Sequence, residues 1–300
     1  MNEDALLAFL ADEIIGTYKM PRDRVLPLLA ESLSVPEYAG LRRAVACAGD
    51  LRSVVRLAGY KGFRKAARTG VYRALRQYKN LGGDVDDVLA ELVSCADEAA
   101  PQLFGLLVAA HISTRERLAY RDDFLKTLYA LVTPQSRWID VGCGFGPLLL
   151  PPDFFRPLSC YIAVDRDKQA IQAVNLYAKK NAIPNLKGYV WDIGSGQAEL
   201  SELTGISHYD VALLLKVIPA VARADRIHSR GGKGLQVLGR FPANLVFATA
   251  SRESMTKHES IARREMATLR RFAGDYDWGI LAGYTWGNES GFRLSKEERS

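Results

Sequence analysis

A glycine-rich loop preceded by an acidic residue is the strongest chemical signal in the sequence. It spans residues 139–147 and reads IDVGCGFGP. Its glycines allow the backbone to turn tightly against a ligand. A dinucleotide site would place such a loop directly before a helix that receives a pyrophosphate, but Pro147 and the pair Pro151-Pro152 disturb that turn. An acidic DxGCGxG loop suits a ligand with an ammonium and a sulfonium group better than a diphosphate; a purely structural loop is the alternative.

Two more carboxylates follow the next two predicted strands. Asp165 ends the run 161–165, where a carboxylate in a doubly wound sheet can accept hydrogen bonds from both ribose hydroxyls. Asp192 follows the third strand and could accept a hydrogen bond from an adenine amino group, with Ile193 against the ring. Loop aspartates are common, but three acids at successive strand ends lie where such sheets bind ligands.

The glycine loop resembles motif I of class I methyltransferases, which implies S-adenosylmethionine (SAM) as the cofactor. In this part of the chain, the predicted SAM contacts are Asp140, Gly142, Gly144, Asp165, Arg166, Asp192, Ile193 and Leu215.

These residues require a framework of alternating strands and helices, which the hydrophobic pattern predicts from about residue 111 onward. Apolar runs at 138–141, 161–164, 188–191, 211–215 and 245–248 predict strands, with helices near 114–132, 167–181 and 254–273. The runs at 278–285 and 290–294 predict a closing antiparallel hairpin. Before residue 110 the apolar spacing is helical throughout. We therefore predict a basic, all-helical domain (1–110) and a Rossmann-like α/β domain with a seven-stranded, mostly parallel sheet (111–300).

Composition excludes several classes of protein. A hydrophobic content of 48% and a charged content of 25% are typical of a soluble globular chain. The apolar run 211–224 is interrupted by Lys216 and Pro219, so no membrane span is predicted, and the start of the chain lacks the pattern of a signal peptide. The cysteines are far apart without a CxxC pair, so we expect no metal site, no disulfide framework and a cytoplasmic location.

Positive charge is concentrated in one segment. Between residues 42 and 79 there are eleven Lys and Arg residues and one acid, Asp50. Such segregation predicts a polyanionic partner; a solvated charged face is the alternative. On a helix over 61–79 most of these cations share one face, although Gly70 could break it. The predicted RNA contacts are Arg64, Lys65, Arg68, Arg76 and Lys79, with Arg230, Lys233 and Arg252 near the strand ends.

A second motif narrows the class. Residues 111–118 read HISTRERL, and residues 215–219 read LKVIP. Together with the loop at 140–148 they resemble the Arm-type aminoglycoside-resistance 16S rRNA methyltransferases, which methylate N7 of guanosine 1405 in the decoding site. The resemblance extends weakly across nearly the whole chain. It implies a SAM-dependent methyltransferase, expected to be monomeric, that acts on 16S rRNA in the 30S subunit and gives aminoglycoside resistance.

The resemblance also implies roles for the HISTRERL segment. His111 and Thr114 would lie beside SAM, and Arg115 or Arg117 would bind the carboxylate of its methionine part with a guanidinium fork. Glu116 would orient an arginine. An ordinary helix start, capped by a hydroxyl and with an acid in its first turn, is the alternative.

Lys216 is the predicted catalytic residue. Amine-methylating enzymes often place Asn or Asp there, whereas a lysine only donates. Guanine presents two acceptors, O6 and N7, on its Hoogsteen edge. Our hypothesis is that Lys216 donates to O6 or to a nearby phosphate and leaves N7 aimed at the methyl group. N7 carries no proton, so no general base is required, and positioning can contribute roughly 7–11 kcal/mol. The alternative is a lysine that reaches solvent from a buried strand end.

The sequence departs from the family pattern in one basic loop, so other functions remain as alternatives. The family usually carries a glycine- and arginine-rich loop after the fifth strand, but here residues 250–258 read ASRESMTKH. A glycine-rich basic segment, SRGGKG at 229–234, precedes that strand instead. The alternatives are methylation of a different rRNA or tRNA position, and a SAM- and RNA-binding protein without turnover.

Overall fold

A computed structural model describes residues 3–18, 22–48, 50–76, 85–227, 233–254 and 259–296. The described chain divides into two compact units, one before residue 80 and one after it. Within the described residues, no helix has both the length and the apolar character needed to cross a membrane.

The first unit is helical, as the apolar spacing predicts. Leu6, Leu10 and Ile14 recur on one side of its first helix and are fully buried. The predicted break at Gly70 does not occur, because the last helix of the unit continues through it. A Cβ on Gly70 would lie 3.5 Å from the Ser32 hydroxyl oxygen, which is an ordinary van der Waals contact, so the packing of these two helices does not require glycine here. The helices are α1 (Glu3–Tyr18), α2 (Arg22–Ser34), α3 (Ala39–Cys47), α4 (Leu51–Val55) and α5 (Ala58–Arg76).

The second unit contains the predicted seven-stranded, mostly parallel sheet. Its strand order is β3-β2-β1-β4-β5-β7-β6; β1 to β5 are parallel, β7 pairs antiparallel with β5, and β6 pairs antiparallel with β7. The strands are β1 (Arg137–Val141), β2 (Cys160–Asp165), β3 (Leu186–Val190), β4 (Tyr209–Leu215), β5 (Ala243–Ser251), β6 (Gly279–Trp286) and β7 (Glu289–Ser295). β1, β2, β4 and β5 are apolar and mostly buried, which explains why their short runs were visible in the sequence, whereas most residues of the edge strand β3 are partly or fully exposed.

Helices cover both faces of this sheet. They are α6 (Val85–Ser94), α7 (Ala100–Ala110), α8 (Ile112–Leu118), α9 (Arg121–Tyr129), α10 (Pro152–Phe155), α11 (Lys168–Lys180), α12 (Gln197–Thr204), α13 (Val217–Ile227), α14 (Lys233–Gly239) and α15 (Ala262–Asp275). The helix predicted over 114–132 is two helices, because the chain turns at Tyr120 between α8 and α9.

The observed division lies about 30 residues before the predicted boundary at residue 110. Helices α6 and α7 belong to the second unit because they pack against α11. Phe104 of α7 makes an edge-to-face ring contact with Tyr177 of α11, with centroids 5.1 Å apart. Lys180 donates to the carbonyl of Cys95 at 2.7 Å. Helical periodicity alone does not show which unit a helix joins.

Candidate cofactor and substrate site

The glycine loop turns sharply after β1 and is held by the neighbouring strand. The N–H groups of Gly142 and Cys143 both donate to the carbonyl of Val164 at the end of β2, at 2.8 and 3.1 Å. Gly142 and Gly144 have φ angles of +66° and +49°. A Cβ on Gly142 would also lie 2.9 Å from a methyl carbon of Val217. Backbone conformation and close packing therefore both require glycine at 142.

Asp140 places a buried carboxylate beneath this loop. Its side chain is almost completely buried, and its Oδ2 accepts a hydrogen bond from the Tyr161 hydroxyl at 3.0 Å. Its Oδ1 has no hydrogen-bond partner among the described residues. Burial raises the pKa of Asp140 to about 7, and Asp165 adds to the rise, while Tyr161 and Arg117 oppose it. An orphaned, buried acceptor in a glycine loop fits a cationic or N–H-bearing ligand.

Asp165 ends β2 beside the same loop. Its Oδ2 accepts from the N–H of Gly144 and its Oδ1 from the N–H of Asp167, both at 2.9 Å. Burial raises its pKa, although these two N–H donors oppose the rise. Each carboxylate oxygen has a second lone pair, so the half-buried side chain retains the capacity to accept hydroxyl groups.

His111 also lies against the loop. A Cβ on Gly144 would be 3.4 Å from its Nε2, and its ring packs edge-to-face on Phe145 with centroids 5.8 Å apart. Its Nδ1 lies 2.6 Å from the Ser113 hydroxyl. The structure therefore brings His111, Gly144 and Asp165 together, as the sequence-based assignment requires.

The other predicted contacts on the strands lie at the same carboxyl-terminal edge of the sheet. Asp192 comes shortly after β3, is exposed, and accepts from the N–H of Gly194 at 2.7 Å, which caps a short 3-10 helix, Ile193–Ser195. Ile193 is partly buried against the core, Arg166 is exposed after β2, and Leu215 ends β4. Position in the fold supports these assignments.

Within the HISTRERL segment, the side chains of Thr114 and Arg117 are buried and form hydrogen bonds inside the protein. The buried Thr114 hydroxyl lies 2.6 Å from the carbonyl of Val108 and 2.9 Å from that of His111. Arg117 is 4% exposed, and its Nε and Nη2 both donate to Glu289 at 2.9 Å. This corrects the expectation that Arg117 binds SAM, since its guanidinium fork is already occupied. Arg115 is partly exposed, with Nη1 3.5 Å from the carbonyl of Ala109.

Glu289, at the start of β7, is the central residue that sequence reasoning missed. It is completely buried, and besides Arg117 it accepts from the Thr249 hydroxyl and from the Tyr120 hydroxyl at 3.2 Å. The Lys216 ammonium lies 3.7 Å away. Burial alone would raise the pKa of Glu289, but Arg117 and Lys216 outweigh it and hold the pKa at about 2. The carboxylate is therefore ionised and fully paired.

Lys216 follows β4 directly, in a left-handed conformation with φ +65°. Its N–H lies 3.1 Å from both the carbonyl and the hydroxyl oxygen of Thr249 on β5. Its ammonium donates to Glu116 Oε2 at 2.7 Å. Glu116 therefore pairs with a lysine, which corrects the expectation that it orients an arginine. A non-glycine residue held at positive φ by its neighbours is typical of a functional site.

Two arginines of the predicted basic face form ion pairs with an acidic residue of the first unit, which the sequence alone did not predict. Arg64 forms an ion pair with Glu13 of α1, with Nε 3.0 Å from both carboxylate oxygens, and Arg68 lies 3.6 Å from the same group. Lys61 and Lys65 are exposed on α5. The side chain of Arg76 and all of Lys79 and Arg230 lie outside the described residues.

Two predicted RNA contacts belong to the second unit. Lys233 is exposed at the start of α14. Arg252 is exposed after β5 and donates to the carbonyl of Gly287 at 3.0 Å.

The sheet, the glycine loop after β1 and the acidic residue ending β2 define a class I SAM-dependent methyltransferase fold. The crystal structure of the 16S rRNA methyltransferase RmtF in complex with S-adenosyl-L-homocysteine shares this fold, with a TM-score of 0.61 at 19% identity over 92% of this chain and 99% of that chain. The chain belongs to the ribosomal RNA methyltransferase (FmrO) family, whose model matches residues 41–282.

Curated relatives match a shorter part of the chain. The 16S rRNA (guanine(1405)-N(7))-methyltransferase of Micromonospora rosea is 24% identical over 159 residues, which cover 53% of this chain and 53% of that protein. The enzyme of the same name from Micromonospora olivasterospora is 24% identical over 222 residues, 72% of this chain and 67% of that protein. The chain thus spans about half the length of the first of these relatives.

Proposed function

We propose that this chain is a cytoplasmic, SAM-dependent 16S rRNA (guanine(1405)-N7)-methyltransferase that acts on the 30S subunit and confers aminoglycoside resistance. The observation that carries the proposal is the placement of Lys216, a donor-only side chain, immediately after β4 at the edge that holds the glycine loop. A donor at this place suits a guanine edge rich in acceptors. Membership of a ribosomal RNA methyltransferase family supports the same substrate class.

The residues around the loop fit SAM. Asp140 offers an unpaired buried oxygen for the ammonium, Asp165 offers acceptors for the ribose hydroxyls, and Arg115 offers a partly exposed guanidinium for the carboxylate. Asp192 and Ile193 supply the place for the adenine. When bound, SAM supplies a methyl group: the N7 lone pair forms the new N–C bond while the S–C bond breaks and its electron pair stays on sulfur.

No proton leaves the guanine in this transfer, so the task of the protein is to position two reactants. Lys216 can donate to O6 because its ammonium has three N–H groups, of which one is used by Glu116. Holding the base in line with the methyl group lowers the activation barrier, and positioning of this kind can contribute roughly 7–11 kcal/mol at most.

A second candidate is methylation of a different rRNA position, which the unusual segment at 250–258 favours. To distinguish the two, the protein would be incubated with tritiated SAM and 30S subunits, and 7-methylguanosine would be located by chemical cleavage and primer extension. We expect one stop, at G1405. A stop elsewhere supports the second candidate. Calorimetric SAM binding without any tritium transfer would show a binding protein without turnover.

For RNA binding we predict that Lys61 and Lys65 contact phosphates. Both are exposed on α5, whereas Arg64 and Arg68 pair with Glu13 and are poor choices for mutation. The Lys61→Gln/Lys65→Gln variant is expected to make the slope of log affinity for 30S against log salt less steep by about 1.4–1.8. SAM affinity should stay within about twofold. Lys126→Gln/Lys187→Gln, on exposed sites of the second unit, is the matched control, and an unchanged slope in the test variant would refute the contact.

A further inference from the structure

Two carboxylates flank the Lys216 ammonium, and they differ in accessibility. Glu289 is completely buried and accepts hydrogen bonds from three side chains of the protein, with the Lys216 ammonium 3.7 Å away, whereas the side chain of Glu116 is 20% exposed. Lys216 itself is 14% exposed. Among the groups of this network, Glu116 and Lys216 thus present an acceptor and a donor, 2.7 Å apart, that a ligand can reach.

An acceptor beside a donor matches one edge of guanine. The Watson–Crick edge presents O6, which accepts, next to N1–H and the N2 amino group, which donate. Lys216 can donate to O6 while Glu116 accepts from N1–H and N2. Adenine presents an amino group in place of O6 and an acceptor at N1, so both contacts would become repulsive. This orientation leaves N7, on the Hoogsteen edge, free of protein donors.

We propose that Glu116 is a specificity-determining residue that accepts hydrogen bonds from the Watson–Crick edge of the target guanine while Lys216 donates to O6. This inference rests on the proposed function. Glu116 would then accelerate the methyl transfer as well as recognise the base, because methylation of N7 leaves the purine with the positive charge that the sulfonium loses. The hydrogen bonds from N1–H and the N2 amino group to this carboxylate become stronger as the positive charge develops on the purine. The carboxylate therefore stabilises the transition state more than the bound substrate.

The test is Glu116→Gln, which keeps the shape and removes the charge. We expect single-turnover methyl transfer to G1405 to fall about 10- to 100-fold at saturating SAM and 30S. We also expect affinity for 30S subunits already methylated at N7 of G1405, measured with S-adenosyl-L-homocysteine, to fall about tenfold, with affinity for unmethylated 30S less affected. SAM affinity and the melting temperature followed by tryptophan fluorescence should not change. Glu199→Gln, on the exposed side of α12, is the control.

A second pair of variants tests whether Glu116 acts only by holding Lys216. In a Lys216→Met background, Glu116→Gln should still lower the affinity for methylated 30S about tenfold. No further effect there, or unchanged transfer and affinity in the single variant, would overturn the proposal. If the unaltered protein does not methylate N7 of G1405, the proposed function itself has failed, which is a distinguishable result.

Discussion

Glu289→Gln is expected to lower the free energy of unfolding of the second unit by about 3–5 kcal/mol, since it leaves the Arg117 charge buried without a partner. Arg117 is 4% exposed, so bulk solvent has little access to its guanidinium. The hydroxyls of Tyr120 and Thr249 lose their ionised acceptor in the same substitution. The effect reaches the proposed reaction site as well, because Lys216 would lose one of the two carboxylates that it pairs with among the described residues and would keep Glu116.

All four tryptophans lie after residue 137, so urea unfolding followed by tryptophan fluorescence reports on the second unit alone. Asp153→Asn breaks an ion pair with Arg156 in which both side chains are at least 70% exposed, and serves as the control. It should change the free energy of unfolding by no more than about 0.5 kcal/mol. A similarly small loss in Glu289→Gln would show that the buried pair is not what holds this edge of the sheet together.

The same pair predicts the acid sensitivity of the unaltered protein. The pKa of Glu289 is about 2 in the folded state, against an ordinary value of 4.5. A lowered pKa means that the contribution is fully present above pH 4.5 and is lost as the pH falls toward 2, by about 3 kcal/mol in total. In Glu289→Gln this part of the acid dependence should be absent.

Strands and site residues could be predicted from the sequence wherever they depend on a short, local pattern of residues. The run 161–165 is a buried parallel strand, and such strands are continuously apolar; its terminal Asp165 marks the ligand edge. The glycines at 142 and 144 were recognisable from their spacing in the DxGCGxG loop, and the structure shows a positive φ at both. All seven strands were predicted from local apolar runs, although their ends were shifted by up to three residues.

The rest depends on contacts between distant parts of the chain. Glu289 and Arg117 are 172 residues apart, and no pattern in the residues next to either of them predicts that the two form an ion pair. The HISTRERL segment offered two arginines of the same type, and only the three-dimensional fold shows that Arg117 faces inward. The position of the division between the units depends on such contacts too, since the apolar faces of α6 and α7 could have packed on either unit.

The second large effect is expected at Asp140, in the pH dependence of SAM binding. Burial raises the pKa of this carboxyl to about 7, so at pH 5.5 it is largely protonated and neutral. A cationic ammonium binds the ionised form. SAM affinity should therefore rise roughly tenfold between pH 5.5 and pH 7, and Asp140→Asn should bind SAM about tenfold more weakly than the unaltered protein at pH 7. Calorimetry across this range measures both quantities.

The shape of the pH curve separates this role from a structural one. If Asp140 contributes charge, the Asn variant has a flat curve that converges with the unaltered protein at pH 5.5, where both side chains are neutral. If Asp140 only supports the loop through Tyr161 Oη, the variant stays weaker by the same factor at every pH. The other groups that act on this carboxyl are Arg117, Asp165 and Cys143, and they are unchanged in the variant. Asp122→Asn, exposed on α9, should keep the full pH dependence. Parallel curves for Asp140→Asn and the unaltered protein would remove Asp140 from the cofactor site.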